Sequence, residues 1–338
     1  MRIVIDAYGG DNAPFEIIKG AALGARLTGA DITLTGNEDK IKKIIAEHRI
    51  TFNENLKICN CTDVISMEDE PTSILKEHRN CSMAVALDEL ANGNADALVS
   101  AGSTGALAVG GTLLIKRIKG VKRPAIGGFV PKFNGGYYML LDMGANAECR
   151  PEMLLQFAQM ASAYMTCAFN ISSPAVAMLN IGTEDTKGDA LRKETYTLLK
   201  NSELNFTGNI EARDMLTTEC DIVVTDGFTG NIALKLIEGT ASALFKKIKG
   251  VLYSNIFNKL AALTLKKDLY TLKKNVDSSE VGGALLLGIK KPVIKAHGNS
   301  DAKAISNAIV QAVNFVNNNI IEKMSQNLES TNTEGCNQ

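Results

Sequence analysis

Short apolar runs alternate with longer amphipathic stretches along most of the chain. Aliphatic and β-branched runs such as Arg2–Asp6 and Ile222–Thr225 are typical of strands in a parallel sheet, because both faces of such a sheet are covered. The other predicted strands are Asp31–Thr35, Leu56–Cys59, Ala97–Ser100, Ala125–Val130, Tyr137–Asp142, Ala175–Asn180, Leu204–Thr207 and Pro292–Ala296. Predicted helices are Pro14–Leu27, Glu38–Glu47, Cys81–Asn92, a helix from Ala106, Pro151–Phe169, Ala190–Asn201, Ile232–Lys249 and Ala302–Lys323. This alternation predicts an α/β fold with a mostly parallel sheet covered on both faces.

The length of 338 residues fits two domain-sized units or one domain in two lobes. An apolar fraction of 45% is enough for a large core. We predict a single two-lobed α/β unit over residues 1–324. From Ser325 the chain is rich in Ser, Asn, Glu and Thr, which predicts a disordered tail over residues 325–338.

The net charge of −1 argues against bulk attraction to nucleic acid. The amino terminus has no apolar stretch long enough for a signal peptide, and the longest apolar run, Ala106–Ile115, is shorter than the ~20 residues of a membrane span. Seven scattered cysteines are typical of reduced thiols in a cytoplasm. Cys59 and Cys61 lack a His or Cys partner set nearby, so no metal site is expected.

Six polar loops follow predicted strands, at the strand ends where open α/β sheets bind ligands. They are Gly9–Asn12, Gly102–Gly105, Asp142–Asn146, Gly182–Gly188, Asp226–Asn231 and His297–Asp301. Their backbone N–H groups, hydroxyls, amides and one lysine, Lys187, favour a small oxyanion such as phosphate over a metal. The alternative for Asp226–Asn231 is an ordinary strand–helix turn with Asn231 as the helix N-cap.

No complete motif for a nucleotide cofactor is present. The chain lacks a Walker-type Gly-Lys-Ser/Thr sequence, and Gly102-x-x-Gly105 lacks the full dinucleotide fingerprint. Asp6, Asp142 and Asp226 could in principle converge on Mg²⁺, although turn and cap roles are favoured for them. We therefore predict no cofactor and no metal.

The segment between Gly239 and Val276 carries eight lysines and one acid, Asp268. Apolar residues recur there every three or four positions, which predicts a basic amphipathic helical insertion over residues 240–276. Such a helix is typical of a membrane-surface or partner-docking element. The alternative is a core-facing helix with a basic outer face. The predicted membrane contacts are Phe245, Lys246, Lys247, Ile248, Lys249, Leu252, Ile256 and Leu260.

Eight stretches, in order, resemble the bacterial phosphate acyltransferase family of phospholipid synthesis. They are Asp6–Pro14, Ser100–Leu107, Arg123–Ala125, Leu141–Asn146, Gly182–Gly188, Gly208–Asp214, Thr225–Asn231 and Lys295–Asp301. Asn12 stands where some members have histidine, and Tyr8 stands where methionine is expected. The resemblance implies a two-lobed α/β fold similar to isopropylmalate dehydrogenases and phosphate acetyltransferases.

The resemblance also implies a reaction: transfer of a long-chain fatty acyl group from an acyl-carrier-protein thioester to inorganic phosphate. The implied partners are acyl carrier protein, inorganic phosphate, a second copy of the chain, and a membrane surface with its glycerol-phosphate acyltransferase. The implied location is cytoplasmic and peripherally membrane-associated. Carrier proteins are acidic, so the lysines of the insertion or the cluster Arg117, Lys119, Lys122 and Arg123 could steer docking, although a solvated surface is the default for the cluster.

The resemblance makes Lys187 and Asn231 the catalytic residues, stabilising phosphate or the thioester oxyanion. The predicted substrate-binding residues are Gly10, Asp11, Asn12, Gly102, Ser103, Thr104, Gly105, Asp142, Asn146, Thr183, Asp185, Asp226, Thr229, Gly230, His297 and Ser300. Among them, the N–H and hydroxyl groups of Ser103–Gly105 and Thr229–Asn231 are expected to hold phosphate. Two rival hypotheses are a metal- and nicotinamide-dependent hydroxy-acid dehydrogenase of the same fold, and a non-catalytic scaffold that binds membrane and carrier protein.

Overall fold

The computed structural model describes residues 1–52, 55–276 and 282–334. For residues 260–261, 268–270, 272–276, 327 and 329–334 only the backbone is described, so the predicted membrane contact Leu260 lies outside the described side chains. The described strands form one eleven-stranded sheet in the order β3-β2-β1-β4-β11-β10-β5-β6-β9-β7-β8. They are β1 Arg2–Asp6, β2 Asp31–Gly36, β3 Leu56–Asn60, β4 Ala97–Ser100, β5 Ala125–Pro131, β6 Tyr137–Leu141, β7 Val176–Asn180, β8 Phe206–Glu211, β9 Ile222–Val224, β10 Ala284–Leu287 and β11 Val293–Lys295.

Two blocks of parallel strands run in opposite directions within this sheet. Block one is β3-β2-β1-β4-β11, and block two is β6-β9-β7-β8. Strand β10 is antiparallel to both β11 and β5, and β5 is antiparallel to β6, which reverses the direction between the blocks. The carboxyl ends of the two blocks therefore lie at opposite edges of the sheet. We call these edge one and edge two, after the block whose strands end there.

Helices cover both faces of the sheet, as predicted. They are α1 Phe15–Thr28, α2 Glu38–Glu47, α3 Ser82–Ala91, α4 Thr104–Gly110, α5 Pro151–Phe169, α6 Ala190–Lys200, α7 Gly227–Leu252, α8 Ile256–Val276, α9 Ala302–Asn317 and α10 Ile320–Glu334. On one face, α1 packs closely on α9, where a Cβ at Gly20 would lie 2.6 Å from the Ile305 side chain. Ile3 and Ile5 of β1 join that core, and Val4 joins the core of the opposite face. Alternate burial of successive residues follows from the period of two along a strand.

Two strands differ from the predictions. Strand β8 extends to Glu211, beyond the predicted end at Thr207, and β10 was not predicted. Gly208 has φ +105° and lies next to a register shift between β7 and β8, so the apolar alternation of an ordinary strand is missing there. The run Ala284–Leu287 is too short for its periodicity to separate a strand from a buried helix.

The last predicted helix is two helices. Asn319, with φ +51°, lies at the break between α9 and α10. Met324 and Leu328 of α10 are buried in the core, so α10 continues through the stretch from Ser325 that was predicted to be disordered, as far as Glu334. Apolar residues four apart keep one face of a polar helix in contact with the core. Residues 335–338 lie outside the described part of the chain.

Helix α7 begins five residues before its predicted start. Asp226 is the N-cap, because its Oδ1 accepts the Thr229 N–H at 2.8 Å, so Asn231 lies within the helix. Gly230 is needed for packing, since a Cβ there would lie 2.0 Å from the Asp142 carbonyl oxygen. The predicted insertion consists of the end of α7 and the whole of α8, joined at Tyr253–Asn255. Among the described residues, no helix is both long and apolar enough to cross a membrane.

Candidate functional site

The six predicted loops divide between the two edges of the sheet. Gly9–Asn12, Gly102–Gly105 and His297–Asp301 follow strands of block one and lie at edge one. Asp142–Asn146, Gly182–Gly188 and Asp226–Asn231 follow strands of block two and lie at edge two. The sequence places all six at strand carboxyl ends, but the reversal at β10 and β5 separates them into two groups.

Helix α7 links the two groups. It starts at edge two, where Asn231 lies next to Gly144, and its residue Glu238 lies 3.7 Å from His297 of edge one. A cleft of about 1400 Å³ runs beside the helix. The predicted site residues that line the cleft are Asp11, Thr104, Asn231, His297 and Ser300. The cleft therefore joins one predicted catalytic residue to predicted substrate-binding residues from all three loops of edge one.

The loops of edge one are held together around a buried carboxylate, Asp6. Its two oxygens accept hydrogen bonds from the hydroxyls of Ser82 at 2.6 Å and Ser100 at 2.7 Å. Burial raises the pKa of the Asp6 carboxyl, and these two hydroxyl donors oppose the rise. A Cβ at Gly9 would lie 2.5 Å from Asp6 Oδ2 and 2.6 Å from the Gly102 nitrogen, so two loops can meet here only as glycine backbone.

Asn12 fastens the first loop of edge one to the last. Its Nδ2 donates to the carbonyl oxygens of Asn299 at 2.9 Å and Ser300 at 3.3 Å, and the neighbouring Asp11 N–H donates to the Gly298 carbonyl at 2.7 Å. The amide of Asn12 is therefore used to position backbone. Gly10 also lies against the last loop of edge one, since a Cβ there would be 2.8 Å from the Gly298 carbonyl oxygen.

Lys295, a residue not among the predicted site residues, ends β11 and lines the cleft with 8% of its surface exposed. Its Nζ donates to the carbonyl oxygens of Ala296 at 2.5 Å and Ala101 at 3.4 Å. Burial lowers the pKa of Lys295 to about 8, with Lys235 adding to the effect while Asp6 and Asp11 oppose it. A lysine at the end of a buried apolar strand was the sequence signal for this site.

A titratable pair connects α7 to edge one. Glu238 of α7 lies beside the exposed imidazole of His297 and raises its pKa, while partial burial opposes that rise. Lys235, one turn earlier in α7, is exposed and also lines the cleft. Near edge one the cleft thus carries three basic side chains, Lys235, Lys295 and His297.

At edge two, the buried Asp142 organises the loop that follows β6. Its carboxylate accepts five hydrogen bonds, from the backbone N–H groups of Ile126, Gly144, Ala145 and Asn146 and from Nδ2 of Asn146. Asn146 is also held by a bond from its Nδ2 to the Pro124 carbonyl at 2.8 Å. Both residues were predicted to bind substrate, but their polar groups bond within the protein and fix the path of the loop.

A second cluster at edge two occupies the start of α7. Arg192 of α6 donates to Asp226 Oδ2, to Asp189 Oδ2 at 2.8 Å and to the Thr229 hydroxyl at 2.9 Å. The Thr229 hydroxyl in turn donates to Asp226 at 2.8 Å, and the Gly230 N–H donates to the Asp226 carbonyl at 2.9 Å. The N–H groups of Thr229 and Gly230 thus each have a partner within the protein, and the expectation that they hold phosphate stays a prediction.

Lys187 lies in an exposed loop of edge two and is not among the residues that line the cleft. Its Nζ is 4.0 Å from a Glu184 oxygen, and half of the side chain is exposed. The loop is anchored by two hydrogen bonds: the side-chain Nδ2 of Asn180 donates to the Lys187 carbonyl, and Nδ2 of Asn209 donates to the Glu184 carbonyl. Thr183 and Asp185 are exposed in the same loop. The structure thus places the two predicted catalytic residues in different surroundings, with only Asn231 in the cleft.

On edge one, the loop at Gly102–Gly105 contributes mainly packing. Ser103 is the N-cap of α4, accepting the Ala106 N–H at 3.4 Å, and Thr104 is the member of this loop that lines the cleft. A Cβ at Gly105 would lie 2.7 Å from Pro71, and one at Gly102 would lie 2.6 Å from Met83. Both glycines therefore permit close approach by neighbouring segments.

The apolar residues of α7 that were predicted to contact a membrane face the cleft. Phe245, Ile248 and Leu252 are half-buried and line it, together with the exposed Lys246 and Lys249. Lys247 and Ile256 are exposed and are not lining residues. The cleft therefore has a polar, basic region near edge one and an apolar wall along the distal half of α7.

The described part of the chain contains no group of three or more His, Cys, Asp or Glu side chains that could hold a metal ion. The three acids considered for Mg²⁺ each bond to other partners within the protein. Asp6 bonds to two serines at edge one, Asp142 to the loop after β6, and Asp226 to Arg192.

The fold is that of phosphotransacetylases and 4-hydroxythreonine-4-phosphate dehydrogenases, in agreement with the prediction. A phosphotransacetylase from Streptococcus pyogenes superposes with a TM-score of 0.61 at 17% identity, covering 97% of this chain and 94% of that one. A 4-hydroxythreonine-4-phosphate dehydrogenase from Klebsiella pneumoniae superposes with a TM-score of 0.51 at 13% identity, covering 94% and 99%.

Sequence comparison defines the family more narrowly. A phosphate acyltransferase from Anoxybacillus flavithermus is 46% identical over 329 residues, covering 97% of this chain and 98% of the relative. One from Clostridioides difficile is 41% identical over 337 residues, covering 100% and 99%. The family described as fatty acid synthesis protein matches residues 1–323, and the chain belongs to it. The resemblance found in the eight stretches is thereby confirmed, and the chain is an enzyme of the acyltransferase class.

Proposed function

We propose that this enzyme transfers a long-chain fatty acyl group from the thioester of acyl carrier protein to inorganic phosphate, giving an acyl phosphate for phospholipid synthesis. The observation that carries the proposal is the two-part cleft, in which basic side chains near edge one meet an apolar wall on α7. An anion and a fatty chain are the two groups that such a surface binds. The names of the relatives support phosphate as the acceptor.

The reaction needs no nucleophilic side chain. A phosphate oxygen attacks the thioester carbonyl carbon, so a C–O bond forms and the C–S bond breaks. The carrier thiolate leaves and takes up a proton to become the free thiol. The protein positions the two substrates and stabilises the oxyanion of the tetrahedral intermediate, a role for which the Asn231 amide in the cleft is suited.

Lys187 remains a proposed catalytic residue on the strength of the family motif. Lys187→Ala should lower kcat by roughly 10²-fold if the amine stabilises charge in the transition state. Lys193→Ala, which removes an exposed lysine from the neighbouring helix α6, is the matched control and should leave kcat unchanged. A Lys187→Ala enzyme with the turnover of the control would show that the lysine is a surface residue.

A second copy of the chain is the proposed cover for an apolar stripe on α7. Five apolar side chains of α7 have between 52% and 66% of their surface exposed: Phe228, Ile232, Leu236, Leu244 and Val251. So much exposed apolar surface on one helix is typical of an interaction site. A symmetric dimer would bury this stripe against itself.

Contact with a membrane is the proposed role of the connection between α7 and α8. Tyr253, Ile256 and Phe257 are exposed there, with Phe257 80% exposed, and Lys246, Lys247 and Lys249 lie one to two turns away. Apolar residues beside lysines suit an anionic bilayer surface and a peripheral, cytoplasmic location. The same lysines, or the exposed Arg117, Lys119, Lys122 and Arg123, would attract the acidic carrier protein.

The test is an incubation with palmitoyl carrier protein, with and without inorganic phosphate, that follows free carrier thiol. The proposal requires phosphate-dependent thiol release and a hydroxamate after trapping with hydroxylamine. Thiol release without phosphate would identify a thioesterase. No release, with carrier binding intact, would favour the scaffold, and an absorbance change with NAD⁺ and a hydroxy acid would favour the dehydrogenase.

A further inference from the structure

We infer that Lys295 is the residue that binds the acceptor anion, an inorganic phosphate dianion, at edge one of the cleft. This inference rests on the proposed function and assigns the acceptor subsite within it. The site is formed by the carboxyl end of β11, the loop after β4 and the first turn of α4. Thr104 and Ser300 also line the cleft, from loops of edge one, and carry hydroxyl groups suited to phosphate oxygens.

The geometry leaves the Lys295 ammonium group partly unsatisfied. It is 92% buried, since only 8% of the residue is exposed, and two of its three N–H donors are used on the carbonyls of Ala101 and Ala296. Within the residues that the structure describes, no carboxylate oxygen forms an ion pair with it. Asp6, the nearest buried acid, already accepts the hydroxyls of Ser82 and Ser100.

A buried charge without an ion partner is unfavourable, and perturbed ionisable groups of this kind are concentrated at functional sites. Arg192 of α6, whose side chain is 14% exposed, shows the contrast, because two carboxylates neutralise it. An anion that enters the cleft therefore finds at Lys295 a buried ammonium group without a carboxylate partner.

The titratable and charged groups that face Lys295 come from four elements. They are Asp6 at the end of β1, Asp11 in the following loop, Lys235 and Glu238 on α7, and His297 just beyond β11. The lowered pKa of about 8 means that the empty site loses its charge as the pH rises through that value. A phosphate dianion binds the protonated lysine, so its affinity should fall above that pH.

The decisive comparison uses three full-length proteins: wild type, Lys295→Gln and Lys290→Gln. Lys290 is an exposed lysine in the loop between β10 and β11 and serves as the matched control. For Lys295→Gln we expect the KM for phosphate to rise at least about tenfold, while the KM for palmitoyl carrier protein stays within about twofold of the wild-type value. Both constants should be unchanged in Lys290→Gln. A phosphate KM in a folded Lys295→Gln enzyme that matches the control would overturn the inference.

Thermal unfolding with inorganic phosphate tests binding without catalysis. Phosphate should raise the Tm of wild type and of Lys290→Gln, because a ligand that binds only the native state stabilises it, and should leave the Tm of Lys295→Gln unchanged. Without phosphate, Lys295→Gln should melt at the same temperature as wild type or higher. A merely structural lysine would instead give a lower Tm and an intact phosphate-dependent shift.

A third measurement needs no variant and holds even if Lys295→Gln fails to fold. The phosphate KM of wild type should rise several-fold from about pH 8 to about pH 9.5 as the lysine loses its proton. A flat profile would contradict the inference.

The outcomes also separate the inference from the proposed function. If wild type shows the Tm shift but no phosphate-dependent thiol release, the proposed function fails and the anion subsite at Lys295 stands. If thiol release depends on phosphate but the phosphate KM is unaltered in Lys295→Gln, the proposed function stands and the subsite at Lys295 is wrong.

Discussion

At edge two the largely buried cation Arg192 bonds to the carboxylates of Asp189 and Asp226, whereas at edge one the buried cation Lys295 bonds only to backbone carbonyls. Both lie next to loops that look alike in sequence, with glycines, hydroxyls and an acid after a buried strand. The charge of Arg192 is neutralised within the protein, and its contacts fix the start of α7. The charge of Lys295 has no carboxylate partner and is available to a ligand. Charge compensation, which depends on tertiary contacts, therefore separates a structural loop from a binding loop.

This difference in charge compensation predicts that removing Arg192 and removing Lys295 have opposite effects on the free energy of unfolding. Arg192→Leu removes one partner of a buried pair and leaves Asp226, 5% exposed, without its cation, which typically costs about 3–5 kcal/mol in the free energy of unfolding. Lys295→Met removes a charge that has no ion partner and should leave stability unchanged or raise it. Urea denaturation of both variants measures this. The double variant Arg192→Leu/Asp226→Asn should recover part of the loss, and equal losses in the two single variants would remove the distinction between the edges.

Asn231 lies at the edge-two start of α7 and lines the cleft, so its effect should appear in catalysis. Asn231→Ala removes an amide donor from the cleft, and loss of one oxyanion donor typically lowers kcat by ~10²–10³. The fold should persist, because Asn231 is inside α7 and is not its cap. The measurement is phosphate-dependent thiol release under saturating substrates. Turnover equal to that of wild type would remove Asn231 from the mechanism.

A smaller effect should appear in the pH dependence of stability. A lysine whose pKa is about 8 in the folded protein and 10.5 in the unfolded chain binds fewer protons when folded between those values. The free energy of unfolding should therefore rise with pH across that window, by on the order of 1–3 kcal/mol for this group. Denaturation of wild type and Lys295→Met at matched pH values isolates the contribution, which should be present in wild type alone. Parallel pH profiles for the two proteins would show that Lys295 keeps its proton in the fold.

Much of the fold could be predicted from the sequence because it depends on local patterns. Strands such as β1 and β4 were identified from apolar runs, and helices such as α2 and α5 from their periodicity, nearly to their observed bounds. Strand β10 was missed because four residues carry no readable period, and it is one of the strands that reverse the sheet. Without that reversal all six loops appeared to share one edge.

The site was predictable only in part, because the partners of its side chains are set by tertiary contacts. The residues at edge one, Asp11, Thr104, His297 and Ser300, were identified as loop residues and do line one cleft. The roles of Asp142 and Thr229 could not be foreseen, because both are set by partners distant in sequence, Ile126 and Arg192. Lys295 was overlooked because it lies in a strand, and its importance comes from burial without a carboxylate partner.

The acceptor anion is inferred to bind at edge one, beside Lys295. Crystals of the full-length protein, measured with and without inorganic phosphate, test it in one difference map. We expect new tetrahedral density within hydrogen-bond distance of Lys295 Nζ, near Thr104 and Ser300. Density confined to edge two, beside Lys187 or Asn231, with none at Lys295, would contradict it.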